Sequence, residues 1–136
     1  MSDMAYAIGR ILLATVFVVS GFLKLTGAAA VTGYFTRLGV PAPQIMVWVV
    51  GLFELVAGLM LVVGFQTRWT ALALCIFTGI TLFLGHKFWA VEPARYTNEL
   101  NHALKNLAIM GGLLLLAFAG PGGLSVDARG RRRSWR

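Results

Sequence analysis

A chain of 136 residues that is 58% apolar and only 12% charged, with a mean hydropathy of +0.78, has too little polar surface to cover itself in water. That excludes an ordinary soluble domain and points to lipid as the solvent. Twelve Lys and Arg stand against five Asp and Glu, net +7. In a membrane protein such an excess sorts to one side of the bilayer, and it does not imply nucleic acid. The single cysteine, Cys75, excludes an intrachain disulfide, CxxC redox chemistry and cysteine-rich zinc sites.

The first span runs from about Ala5 to Leu25. Its charge-free centre, Ile11 to Leu23, falls short of the roughly 20 residues that hydrocarbon requires, so Arg10 and Lys24 are expected to snorkel towards opposite interfaces. Ala28-Ala29-Ala30 looks like a signal-peptide cleavage site, but Lys24 ahead of it and Asp3 near the start argue against cleavage. Val31, Tyr34, Phe35 and Leu38 then fall at i, i+3, i+4 and i+7, one apolar helical face that Gly39-Val40-Pro41 ends. This predicts a short amphipathic helix at the interface or tucked against the bundle.

The second stretch, Leu38 to Thr67, carries one charge, Glu54. Gln66-Thr67-Arg68 makes a tight turn into the charge-free third stretch, Trp69 to His86, so these two form an antiparallel hairpin. Ala90 to Leu100, with Pro93 and two acids, reads as the longest polar loop. The fourth span runs from Asn106 to about Gly120 and stops at Pro121-Gly122-Gly123. The expected fold is an all-α, four-helix integral membrane bundle with a short interfacial helix between spans one and two. Residues 1–124 form one domain, and 125–136 a disordered, Arg-rich cytoplasmic tail.

Four spans place both termini on one side. That side holds Arg10, Arg68, Arg129, Arg131, Arg132, Arg133 and Arg136; the other holds Lys24, Arg37, Lys87, Arg95 and Lys105. Five of the twelve basic residues crowd the last eight positions, which predicts both termini in the cytoplasm. The tail can also touch anionic lipid, and it is too short to suggest nucleic acid.

Polar groups within the bilayer must face protein or water. At about 1.5 Å per residue from the termini side, Glu54 stands about 16 Å up, Lys24 and Asn106 about 21, Lys105 about 22, His86 about 25 and His102 about 27. In a core about 30 Å thick, all lie in the far half. Ser20 and Lys24 are i and i+4, as are His102 and Asn106, while Gly51 and Gly58 flank Glu54 and permit close helix approach.

The expected site is an outward-opening pocket lined by Lys24, Glu54, His86, His102, Lys105 and Asn106. Glu54 and Lys105 are the candidate catalytic groups. Glu54 would exchange a proton, Lys24 and Lys105 would stabilise charge, and Asn106 would supply a hydrogen bond, with His86 and His102 as further ligand contacts. A quinone or other small polar-headed molecule suits this set better than a metal or haem on His86 and His102, two histidines with a loop between them. The competing readings are a Glu54–Lys ion pair that only holds helices in register, and a proton-coupled carrier.

Gly9-Arg10-Ile11-Leu12-Leu13, Phe17 with Ser20-Gly21 and Lys24-Leu25, and Tyr34-Phe35 through Leu38-Gly39-Val40-Pro41 form an ordered set of motifs. Glu54-Leu55 with Gly58 and Gly64, and Lys105-Asn106-Leu107 leading to Gly111-Gly112, continue it. In this order and spacing, from about Ala5 to Gly120, the chain resembles the DoxX family of membrane proteins. The resemblance implies a four-span bundle in a bacterial or archaeal cytoplasmic membrane, together with a protein partner in a membrane complex. It also implies an association with quinone-coupled oxidation of sulfur compounds or with oxidative-stress complexes. Lys24, Glu54, Lys105 and Asn106 match the family pattern. The extra redox domain of longer members is lacking, so the resemblance points to a subunit.

Overall fold

Each helix starts and stops on identifiable local chemistry. The computed structural model describes residues 2–133, with side chains through Gly130. Ser2 caps α1 (Asp3–Thr26), its Oγ accepting from the Ala5 N–H at 3.3 Å. The predicted amphipathic helix is α2 (Ala28–Arg37), which Gly39 ends at φ +74°. α3 (Pro43–Val63) opens on a proline and closes at Gly64, whose φ of +71° is left-handed and costs glycine little. After Gln66 comes α4 (Thr67–Gly85), then a single 3-10 turn over Phe88–Ala90, α5 (Pro93–Ala119) and α6 (Val126–Arg133).

Among the described residues, α1, α3, α4 and α5 are long and apolar enough to cross a membrane. The protein is an all-α, four-helix membrane bundle with a short helix between its first two spans. Two boundaries differ from expectation. α3 begins at Pro43 and not Leu38, because Leu38 to Ala42 complete the stop after α2. α5 begins at Pro93, so most of the expected loop from Ala90 to Leu100 is helix. A proline in the first turn lacks only an N–H that has no intrahelical partner there, so Pro93 starts this helix and does not sit within a loop.

The spans associate as two pairs. α1 lies along α3 at close range: a Cβ on Gly21 would sit 2.5 Å from the Leu55 nitrogen, and one on Gly58 would sit 2.9 Å from the Val18 nitrogen. Only small residues allow backbones this near, as the glycines flanking Glu54 suggested. α4 and α5 form the second pair, with Met110 Cε against Gly79. Between the pairs, Ala14, Leu61, Leu74 and Leu113 are fully enclosed. These residues lie in the half of the bundle that carries the termini. In the other half, beneath α2, this packed core gives way to a cavity.

The termini end is closed by polar contacts to backbone. Arg10 is buried, and its guanidinium donates to the carbonyls of Pro121 (2.6 Å), Leu124 (2.9 Å) and Val62 (3.3 Å). It does not snorkel to an interface. The carbonyls freed where α3 and α5 end offer it a nearer set of acceptors. The Asp127 carboxylate accepts from the Gln66 and Thr67 N–H groups at 2.8 and 2.9 Å, capping α4. Asp3 accepts from Gly123 N–H at 2.8 Å, so the start of α1 and the segment after α5 share one end. Residues 126–133 are therefore helical and anchored through Asp127, contrary to the expected disorder. Positions 134–136 of the tail lie outside the described residues.

Candidate functional site

The cavity encloses about 510 Å³, within the range of small-molecule sites. It lies between the two helix pairs and beneath α2. Its walls are mainly apolar and aromatic, including Phe17, Phe35, Phe53 and Phe77. Against this background the polar side chains stand out.

The strongest polar cluster is on the α1–α3 wall. Lys24 Nζ lies 2.8 Å from Glu54 Oε2 and donates to Ser20 Oγ at 2.5 Å. The Ser20 hydroxyl is 3.2 Å from both Glu54 oxygens and donates its one hydrogen to the carboxylate. Helix geometry explains the cluster. Ser20 and Lys24 are one turn apart on α1, and Gly21 between them lets α3 bring Glu54 within reach. The Glu54 side chain is 6% exposed and that of Lys24 20%, so the carboxylate is enclosed and the ammonium is nearer the mouth. Among the described residues, Glu54 is the one carboxylate lining the cavity. On the facing wall are Thr78, Thr81 and Asn106. Thr78 donates to the Leu74 carbonyl and Thr81 to that of Thr78, which leaves both oxygens with acceptor capacity.

Of the six predicted site residues, Lys24, Glu54, His86 and Asn106 line this cavity, and His102 and Lys105 do not. His102 lies one turn beyond Asn106 and stacks on His86 with ring centroids 5.0 Å apart and planes 11° from parallel. Lys105 is exposed, because the residue before Asn106 is rotated about 100° around the helix from it. The histidines are not held apart by a loop: α5 begins early enough to bring them together.

A second polar group at the mouth was missed in the sequence. His86 Nδ1 is 3.2 Å from Glu99 Oε2, and Arg95 donates to Glu99 Oε1 at 2.9 Å. Read as part of a loop, Glu99 has no fixed helical neighbours. With Pro93 placed at a helix start, Arg95 and Glu99 become an i, i+4 pair, a signal present in the residues all along. Tyr34 of α2 reaches the same rim, its hydroxyl against Gly85. Burial pushes the Tyr34 hydroxyl above its ordinary pKa and Glu99 adds to the rise, while Arg37 and Arg95 oppose it. α2 thus covers the cavity with Tyr34, Phe35, Leu38 and Val40.

The profile of the DoxX family matches residues 5–87, which includes Ser20, Lys24, Tyr34, Glu54 and His86 and stops before α5. Inner membrane protein YqjF of Escherichia coli is 40% identical over 127 residues, covering 93% of this chain and 92% of its own. Inner membrane protein YphA of the same organism is 33% identical over 122 residues, covering 90% and 87%. A membrane protein of Mycobacterium tuberculosis is 30% identical, covering 92% and 80%. No solved structure matches. With relatives this similar along nearly all of its length and the family profile over more than half, the chain belongs to the DoxX family.

Proposed function

We propose that the protein is a small membrane subunit of a redox system that binds a quinone, or a polar-headed ring compound of similar size, in this cavity. The observation that carries the reading is the Ser20–Lys24–Glu54 cluster set into an aromatic wall. An ammonium has three N–H donors, and two of those on Lys24 meet Ser20 and Glu54, so a ring oxygen can take the third. Glu54 would exchange a proton with that oxygen, its carboxylate touching both Lys24 and Ser20. The Asn106 amide can donate to the oxygen on the far side of the ring, and the phenyl groups suit its faces. The threonine oxygens can accept from that position only when it carries a hydroxyl, as in the reduced ring. Lys105, outside the cavity, has no part in this scheme.

The test is titration of the purified protein with a short-chain quinone. Wild type is expected to bind and Glu54→Ala to lose at least tenfold in affinity; equal binding by the two would sink the proposal.

A second reading, a non-enzymatic anchor or assembly partner, rests on a different aspect of the same contact. Lys24 and Glu54 tie α1 to α3 where their backbones are closest. It predicts that Glu54→Gln costs stability and partner recovery with no small-molecule phenotype. Pull-down in mild detergent with an optical spectrum of the product separates the two readings.

The proposed location is the bacterial plasma membrane with both termini in the cytoplasm, supported by the basic excess at the termini end and by the inner-membrane relatives. The cavity then faces outward. A reporter fused after Arg136 should be active only as a cytoplasmic fusion.

A further inference from the structure

The way α3 and α4 meet bears on how a ligand reaches the cavity. Two antiparallel helices joined by a tight turn ordinarily turn their stripes towards each other. Here Met46, Val49, Val50 and Phe53 of α3, at i, i+3, i+4 and i+7, all line the cavity. So do Phe77, Ile80, Thr81 and Leu84 of α4, at the same spacing. The two stripes meet at their lower ends, where the Phe53 and Phe77 rings touch with centroids 5.2 Å apart. Above that contact each stripe continues for seven residues, or about 10 Å, with the cavity between them. Val49 and Ile80 border the gap and are about half exposed, 51% and 53%. They lie next to Ile45 and Leu52 of α3 and Ile76 and Phe83 of α4, which are exposed without lining the cavity and so mark the outer surface. Both sit on helices that cross the membrane, so that surface is in lipid. The water side is different: α2 lies over it, with Phe35 buried and Leu38 and Val40 beside it.

We infer that the ligand carries an apolar chain and enters from the bilayer, through the seam between α3 and α4 above Phe53–Phe77. The head reaches Lys24, Glu54 and Ser20, and the chain stays between Val49 and Ile80. This rests on the ligand reading above, and it narrows the substrate class to membrane-dissolved amphiphiles of the leaflet on the α2 side.

The route is tested with the full chain in phosphatidylcholine nanodiscs, in a Cys75→Ala background with Ile109→Cys as a reporter on the cavity wall, a position outside the proposed binding set. An alkyl maleimide that dissolves in the bilayer is compared with a charged, membrane-impermeant maleimide. Adding Val49→Trp should slow the alkyl reagent at least tenfold and leave the charged one unchanged. Ile80→Trp, on the opposite side of the seam, should do the same and serves if the first variant fails to fold. Equal rates with and without tryptophan, or faster reaction with the charged reagent, would overturn lateral entry. Protection by a decyl-bearing quinone and by the same ring without a chain is then measured, with at least tenfold stronger protection expected from the decyl compound. Equal protection by both overturns the chain requirement and leaves the quinone reading standing. Protection by neither, with the tryptophan effect intact, defeats the quinone reading and leaves the route.

Discussion

The two ends of this bundle both bury charge, and they use it differently. At the termini end, Arg10 and Asp127 are directed at backbone: three carbonyls for one, two N–H groups for the other. Beneath α2, Lys24, Ser20 and Glu54 bond to one another and face a cavity of about 510 Å³. A side chain directed at the backbone groups left over at helix ends completes the fold. Side chains that satisfy each other beside empty volume keep capacity for something else. In a membrane protein, burial of charge alone does not separate structure from function. The identity of the partner does.

This contrast can be broken by substitution. The largest effect is expected for Arg10→Ala, which leaves three carbonyls, that of Pro121 buried, without their shared donor. A loss of about 3 kcal/mol or more is expected on unfolding in detergent, with ligand affinity unchanged in the protein that remains folded. A matching loss of affinity would mean that the two ends are coupled. Gly21→Leu comes next. Its side chain cannot fit against Leu55 and Gly51, so α1 and α3 must separate at the level of Glu54. About 1–3 kcal/mol and the ligand affinity should fall together, as the site and the packing coincide there. Asp127→Ala removes the α4 cap for about 1 kcal/mol, read as a lower midpoint on thermal unfolding, again with binding intact. The smallest effect is assigned to Lys105→Ala. Both stability and quinone titration should match wild type, and a tenfold loss of affinity would return Lys105 to the site.

Much of the frame was legible in the residues because lipid imposes simple demands. Long apolar runs become spans, and a lone Glu54 in such a run needs a partner one helix away. The glycines around it permit a close neighbouring helix, and the structure shows that neighbour to be α1. What could not be read depended on tertiary neighbours. Arg10 sits near a span end, where snorkelling is the local expectation, and only the arrival of Pro121 and Leu124 gives it better acceptors. Glu99 was lost with the misread start of α5. His102 and Lys105 had the right depth, yet depth says nothing about rotation around the helix axis. Apolar residues such as Phe53 and Phe77 carry no signal that separates a cavity wall from a lipid face.

The Arg10 clamp also has a consequence for biogenesis. Two of its three acceptors lie more than a hundred residues further along the chain, beyond the last span. During synthesis the first helix therefore enters the membrane with a guanidinium whose full set of partners does not yet exist. Chains released before residue 121 should be cleared faster than complete ones, and pulse-chase of a chain stopped at Phe118, with and without Arg10→Leu, measures this. The three carbonyls around the guanidinium are complete only once the chain has been made past Leu124.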